Sequence, residues 1–323
     1  MRARLLKLLL LGALGLCACG SLDAPDRVHD LRLLAMRAEP PEQVFALPFP
    51  LDAGALIGAD GGLDPGAAGA LAGLQIAPVT VTALIADPQG SGRSIHYDFA
   101  YCSSLIDNRC SLADPNAFVV GAGDVVPDAG WAELSATFTP KLAVLAAAVQ
   151  ADPYHGFGFL PLPVQLTITA GTEEVVGFKR VLLTVVFQGE PVPAPNQNPF
   201  IPEVLIDGAA WSASGPISLT GRESHTVAPV PVPGAEESYQ RPQFTGGSIS
   251  FRESWRYNFF TTAGGFSPFG SGGQSNVTGG KNPIESVWAP RPEDGPGRVT
   301  YFVVVRDGRG GEGWTVRTAD LAP

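Results

Sequence analysis

Glycine and proline interrupt this chain so often that long helices have little room to form. There are 39 Gly and 30 Pro among 323 residues, and each tends to end or bend a regular element. A fold that uses so many breakers is built from short strands and many turns, which points to an all-β architecture. The apolar supply suffices for packed cores: 45% of residues are hydrophobic and only 16% charged, which excludes a charge-rich disordered chain. The length accommodates two domains of ordinary size.

Strand patterns recur along the chain. Leu31 to Ala38 is a candidate that ends at Pro40-Pro41. Val79 to Ile85 is rich in branched residues, and Ser94 to Cys102 alternates Ile95, Tyr97, Phe99 and Tyr101 onto one face. Val164 to Ala170, a turn at Gly171-Thr172 and Val175 to Phe187 read as a hairpin. Pro202 to Gly208 is a strand and turn, and further strands are expected over Ser248 to Thr262, Ile284 to Trp288, Val299 to Arg306 and Gly313 to Thr318. One helix is expected, with Thr139 as N-cap, Pro140 at the first helical position and apolar residues to Gln150. Residues 52–73, rich in Gly, Ala and Asp, read as a flexible loop. Its Asp52, Asp60 and Asp64 lack the ligand density of a calcium loop.

The first residues are basic (Arg2, Arg4, Lys7) and lead into an apolar run, Leu8 to Leu16, too short to span a bilayer. Leu16-Cys17-Ala18-Cys19 follows. This string resembles the lipobox of bacterial lipoproteins, which implies cleavage after Ala18 and a diacylglycerol on the thiol of Cys19. The freed amine then takes an acyl chain such as palmitate, and several chains together hold a protein stably on a membrane. Cys17 fits less well because Leu16 would sit at the cleavage point. Gly20 and Ser21 after the cysteine imply export to the outer membrane. Removing Arg2, Arg4 and Lys7 leaves 18 basic against 31 acidic residues, a balance of −13, so a nucleic-acid partner is electrostatically disfavoured.

In an exported chain, Cys102 and Cys110 read as a structural disulfide. No third Cys or His lies close enough in sequence to suggest a metal site. The four histidines, His29, His96, His155 and His225, form none of the zinc-protease spacings. No Gly-x-Ser-x-Gly elbow or phosphate loop occurs. A triad assembled from distant residues stays open at this level. His96 has the opposite parity to Tyr97 and Phe99 and so faces outward. The adjacent acids Glu173-Glu174 and Glu236-Glu237 read as solvated turn residues. In Asp307-Gly-Arg-Gly-Gly311 the glycines supply positive φ and the Asp bonds its own backbone. Phe266 and Phe269 stand in a polar, glycine-rich stretch, 264–276, where exposed aromatics could anchor a partner.

The two halves repeat in order. Ile95 to Ala100 matches Trp255 to Phe260, Ala136 to Pro140 matches Ser286 to Pro290, Val164 to Thr169 matches Val299 to Val304, and Gly177-Phe178 matches Gly313-Trp314. In the second half, Tyr257 to Phe266, Val287 to Pro290, Val299 to Val305 and Asp307 to Gly311 resemble the core of PKD and other immunoglobulin-like domains. The resemblance implies a β-sandwich there and, through the repeat, in the first half. The string Asp30 to Pro41 is also similar to the mature start of myxobacterial lipoproteins, a group that brings no activity with it.

The expected layout is therefore a signal peptide (1–18), a lipidated tether (19–27), an immunoglobulin-like domain carrying the short helix (28–189), a Pro-rich linker (190–202) with the character of a semi-rigid spacer, and a second immunoglobulin/PKD-like domain (203–323). The expected function is a non-catalytic envelope lipoprotein, without cofactor or metal. It would meet the membrane through its lipid and a protein or glycan partner through its body. A carbohydrate- or peptidoglycan-binding module is the runner-up, and an unrecognised hydrolase the third reading.

Overall fold

A computed structural model describes residues 24–46, 75–90, 92–154, 158–186, 192–219, 223–243, 247–274 and 280–322. Cys19, the loop at 52–73 and His155 lie outside the described residues. The first part of the chain forms β1 (Arg32–Glu39), β2 (Glu42–Ala46), β3 (Val79–Ala86), β4 (Ile95–Cys102), β5 (Ala117–Val125), β6 (Trp131–Phe138), helix α1 (Leu142–Ala151), β7 (Leu160–Ala170) and β8 (Glu173–Val186). One sheet has the order β1-β3-β6 and the other β2-β8-β7-β4-β5. Neighbours are antiparallel except β2 and β8, which run parallel. Alternate residues of both sheets, among them Val81, Ile85, Phe99, Leu166 and Ile168, meet in one core between them.

The rest forms β9 (Glu203–Ile206), β10 (Ala209–Ala210), β11 (Ile217–Leu219), β12 (His225–Val230), β13 (Ser238–Pro242), β14 (Ser248–Arg252), β15 (Arg256–Thr261), β16 (Gly265–Ser267), β17 (Gly270–Gly272), β18 (Ser286–Ala289), β19 (Gly297–Arg306) and β20 (Glu312–Leu321). The sheets are β10-β9-β12-β18-β16 and β11-β20-β19-β15-β17, with β13-β14 as a separate hairpin. Here too an early strand, β11, lies parallel to the last, β20. Both sheet pairs have the immunoglobulin-like strand order. The four repeated sequence blocks fall on corresponding strands: β4 and β15, β6 and β18, β7 and β19, β8 and β20.

The pairs pack against each other. Val299, Tyr301, Val303 and Val305 of β19 fill the second core, while Phe302 and Val304 face the first sheet pair. There they meet Val28, Leu34, Ala35, Leu84 and Ala86. Burial on both faces explains why β19 is an unbroken apolar run rather than an alternating one. A register shift between Leu33 and Ala35 in β1 accompanies the presentation of both Leu34 and Ala35 to this seam.

Three expectations need correction. The helix begins at Leu142 because Lys141 stays extended (ψ 137°) and donates its N–H to the Tyr101 hydroxyl at 3.1 Å. The span Ser248 to Thr262 is two strands in different sheets, broken where Glu253 and Trp255 turn inward and bond each other. The described linker residues, expected as a semi-rigid spacer, form a strap bound to both sheet pairs. Asn196 is 2% exposed. Asn198 donates to the Ala38 carbonyl and accepts from the Glu312 N–H. The chain entry is bound as well: Thr261 N–H donates to the Asp26 carbonyl, Val28 N–H to the Thr261 carbonyl, and Arg27 pairs with Glu293 and Asp294.

Candidate functional site

The turn between β19 and β20 builds the most heavily charged interior among the described residues. Asp307 Oδ1 accepts the N–H groups of Arg309, Gly310 and Gly311, as its motif predicts, and this frees the Arg309 side chain to point inward. Arg309 is only 7% exposed and reaches Glu42 at 2.9 Å, Glu237 at 3.0 Å and Glu253 at 3.4 Å. Its guanidinium lies 4.3 Å from the Tyr239 ring centre. One cation thus joins β2 of the first sheet pair, both ends of the β13-β14 hairpin and the second sheet pair. Beside it Lys179 of β8 meets Glu312 of β20 at 3.3 Å, and Arg306 meets the same carboxylate. Asn196 donates from its backbone to Glu42 and from its amide to Asp307. Burial pushes the Asp307 and Glu253 carboxyls up and the Lys179 ammonium down from their ordinary values.

On the solvent side of Glu253 and Asp307 a cleft of about 1220 Å³ opens. Its walls come from the hairpin, from β15 and from the chain between β16 and β17. Phe269 stands on the rim, 44% exposed. Its carbonyl accepts the Phe259 N–H at 2.8 Å, so the strand partner fixes its position. Asn258 accepts from Arg306 at 2.7 Å, which turns its NH2 toward Gly270 of the wall. The hydroxyls of Ser254 and Ser271 are buried in this wall without a hydrogen-bond partner. Burial pushes the phenol of Tyr257 up to about 12.

Of the residues singled out from sequence, Cys102 and Cys110 are bonded, with Cα atoms 5.6 Å apart. The bond folds the intervening loop over the outer face of the β2-β8-β7-β4-β5 sheet, where Cys110 N–H donates to Gln165 Oε1. Phe266 is corrected as a recognition residue: it is 7% exposed, part of β16, and packs on Phe259 and Tyr301 in the second core. Ser267 lies outside that core because the strand alternates, and Phe269 lies beyond the strand's end, in the exposed connection to β17. Of the adjacent acids, Glu173 and Glu174 are exposed as expected and pair at the surface, whereas Glu236 and Glu237 are corrected, being partly buried and paired. Glu173 meets Arg93 and Glu174 meets Arg109, while Glu236 meets Lys281 and Arg252. His96 is exposed between Asp98 and Asp124, His29 is bonded by Gln89, and His225 bonds Asp207 at 2.7 Å. Sequence reasoning missed Arg309, Glu42 and Asn196 because their partners are distant in the chain. The inward-facing Arg between the turn glycines was the one local signal.

No family model and no curated protein matches the chain. Among solved structures it is similar to a red sea bream transglutaminase (12% identity, 92% of this chain and 32% of that one, TM-score 0.23). It is also similar to the C-terminal domain of the Streptococcus pyogenes antigen I/II-family protein AspA (10%, 76% and 92%, 0.18), and to extracellular domains 3–5 of Drosophila OTK (9%, 93% and 99%, 0.22). The chain spans about a third of the transglutaminase. The assignment of the fold rests on strand order and not on these likenesses.

Proposed function

We propose that this chain is a lipid-anchored envelope protein whose body recognises a partner without catalysing a reaction, and that its two sheet pairs correspond to the immunoglobulin-like domains expected over 28–189 and 203–323. The observation that carries the recognition reading is the state of the carboxylates behind the cleft. Asp307 is engaged by three backbone N–H groups and Asn196, and Glu253 by Arg309, Trp255 and the Glu237 N–H. Groups held this way serve structure rather than proton transfer. The lipobox at Cys19 supports the anchor. The binding of residues 24–28 to the second sheet pair suits it, because a body gripped close to its tether keeps a set orientation on a membrane. Metabolic labelling with a radiolabelled fatty acid tests the anchor: label is expected on the full chain and lost in Cys19→Ser, and a variant that still labels overturns it. Crosslinking and purification from native membranes tests recognition, and a reproducible partner lost on Phe269→Ala is expected.

A further inference from the structure

The charges around the cleft constrain what it can hold. Arg252 is turned toward Glu236, Glu253 toward Arg309, and Arg306 toward Glu312. Asp307 is satisfied by its own turn. The described lining residues carry three cations, Arg252, Arg256 and Arg306, and three anions, Glu253, Glu285 and Asp307, so the charge of the cleft sums to zero, and of these Arg256 and Glu285 are held by no ion pair or turn. Neutral hydrogen-bonding capacity stands unused beside them: the buried hydroxyls of Ser254 and Ser271 and the NH2 of Asn258, set by Arg306. Buried polar atoms without partners are uncommon and costly, and a ligand or water that reaches them removes that cost. A ligand of net charge gains little from a cleft whose cationic and anionic groups offset each other. A ligand with many hydroxyls exchanges water hydrogen bonds for these at little loss, and the Phe269 ring offers a flat apolar surface beside them.

We propose that this cleft binds an uncharged saccharide chain, its hydroxyls meeting Ser254, Ser271 and Asn258 and an apolar sugar face lying on Phe269. The proposal rests on the recognition reading and names its ligand class. Ser254 and Ser271 act as acceptor and donor, Asn258 as donor, and Phe269 as the platform.

The test is calorimetric titration of the full chain in detergent with three neutral hexasaccharides, built from glucose, mannose and N-acetylglucosamine, and with a hexauronate as the charged control. Saturable binding of at least one neutral chain is expected with Kd at or below about 1 mM, and weaker or no binding of the uronate. Phe269→Ala, a surface change that leaves the core intact, is expected to weaken binding about fivefold or more, and Ser254→Ala with Ser271→Ala about five- to tenfold. Equal unfolding midpoints of variants and parent would tie these losses to the cleft. No saturable binding by any neutral chain, tighter binding of the uronate, or indifference to both sets of substitutions overturns the proposal. A protein partner captured without saccharide binding sinks this inference and leaves the recognition reading standing. Saccharide that binds and is cleaved does the reverse.

Discussion

The two sheet pairs share a strand order and differ in what fills and borders them. The first core is mostly aliphatic, with Phe45, Phe99, Tyr101 and Phe138 among many Val, Leu and Ile. The second is aromatic, with Trp211, Trp255, Trp288, Tyr257, Phe259, Phe266 and Tyr301. The first closes its outer face with a disulfide-bonded loop. The second leaves its β15-β17 side open as a cleft. The comparison teaches that strand order follows from alternation and turn placement, while clefts arise at sheet edges and in the connections between strands.

The sharpest way to test the shared order is at matched positions. Phe99 on β4 and Phe259 on β15 are both fully buried, and truncation of either to Ala should cost about 3–5 kcal/mol in denaturant unfolding. A far smaller loss at one site would break the equivalence. The junction comes next. Arg309→Ala strands Glu42 and Glu253 in a buried site, and a loss of about 3–5 kcal/mol is expected. If the pairs depend on this contact, unfolding should also separate into two transitions; a single unchanged transition would show that the apolar seam at Phe302 suffices. Replacing Cys102 and Cys110 together by Ser removes a short loop constraint worth about 2–3 kcal/mol. That loss should fall on the first pair alone, seen as hydrogen exchange rising in β4 and β7 and not in β15 and β19.

The smallest expected effect is a contrast in pH dependence. His225 holds the Asp207 carboxyl below its ordinary value, so this group stabilises the fold above the ordinary carboxylate range. The contribution disappears as pH falls through the lower folded value. Asp207 is half exposed, so Asp207→Asn should cost no more than about 1 kcal/mol near neutrality and nothing in strong acid. Glu253 has the opposite sign, because burial raises its carboxyl. Its contribution is fully present below the ordinary value and is lost as pH rises through the folded value. Stability curves of Asp207→Asn and Glu253→Gln against pH should therefore depart from the parent in opposite directions, and parallel curves would refute the assignment.

Much of the fold was legible because it is local. The alternation in Ile95 to Tyr101, the breakers at Pro40-Pro41 and the turn at Gly171-Thr172 set strand faces and ends from residues near in sequence. The repeat was legible because corresponding strands bury the same faces. Strand β5, with its glycines at 121 and 123, was not legible, since Gly lowers strand propensity. Gly121 is needed because a Cβ there would come within 2.8 Å of the Ala136 Cβ. Phe266 and Phe269 read alike in sequence and part company in the fold, one into the core and one to the rim.

By itself the sequence determined the class of architecture, the Cys102–Cys110 pairing and the self-capped turn at Asp307, because each depends on residues that are neighbours in the chain or on a period along it. Its dense glycine and proline ruled out long helices before any contact was known. Only the tertiary structure decided that the Pro-rich segment is a bound strap, that Arg309 joins Glu42 to Glu253, and that an open cleft lies beside them. Those outcomes depend on charges far apart in sequence whose burial is fixed by how two sheet pairs meet, and no local pattern encodes that meeting.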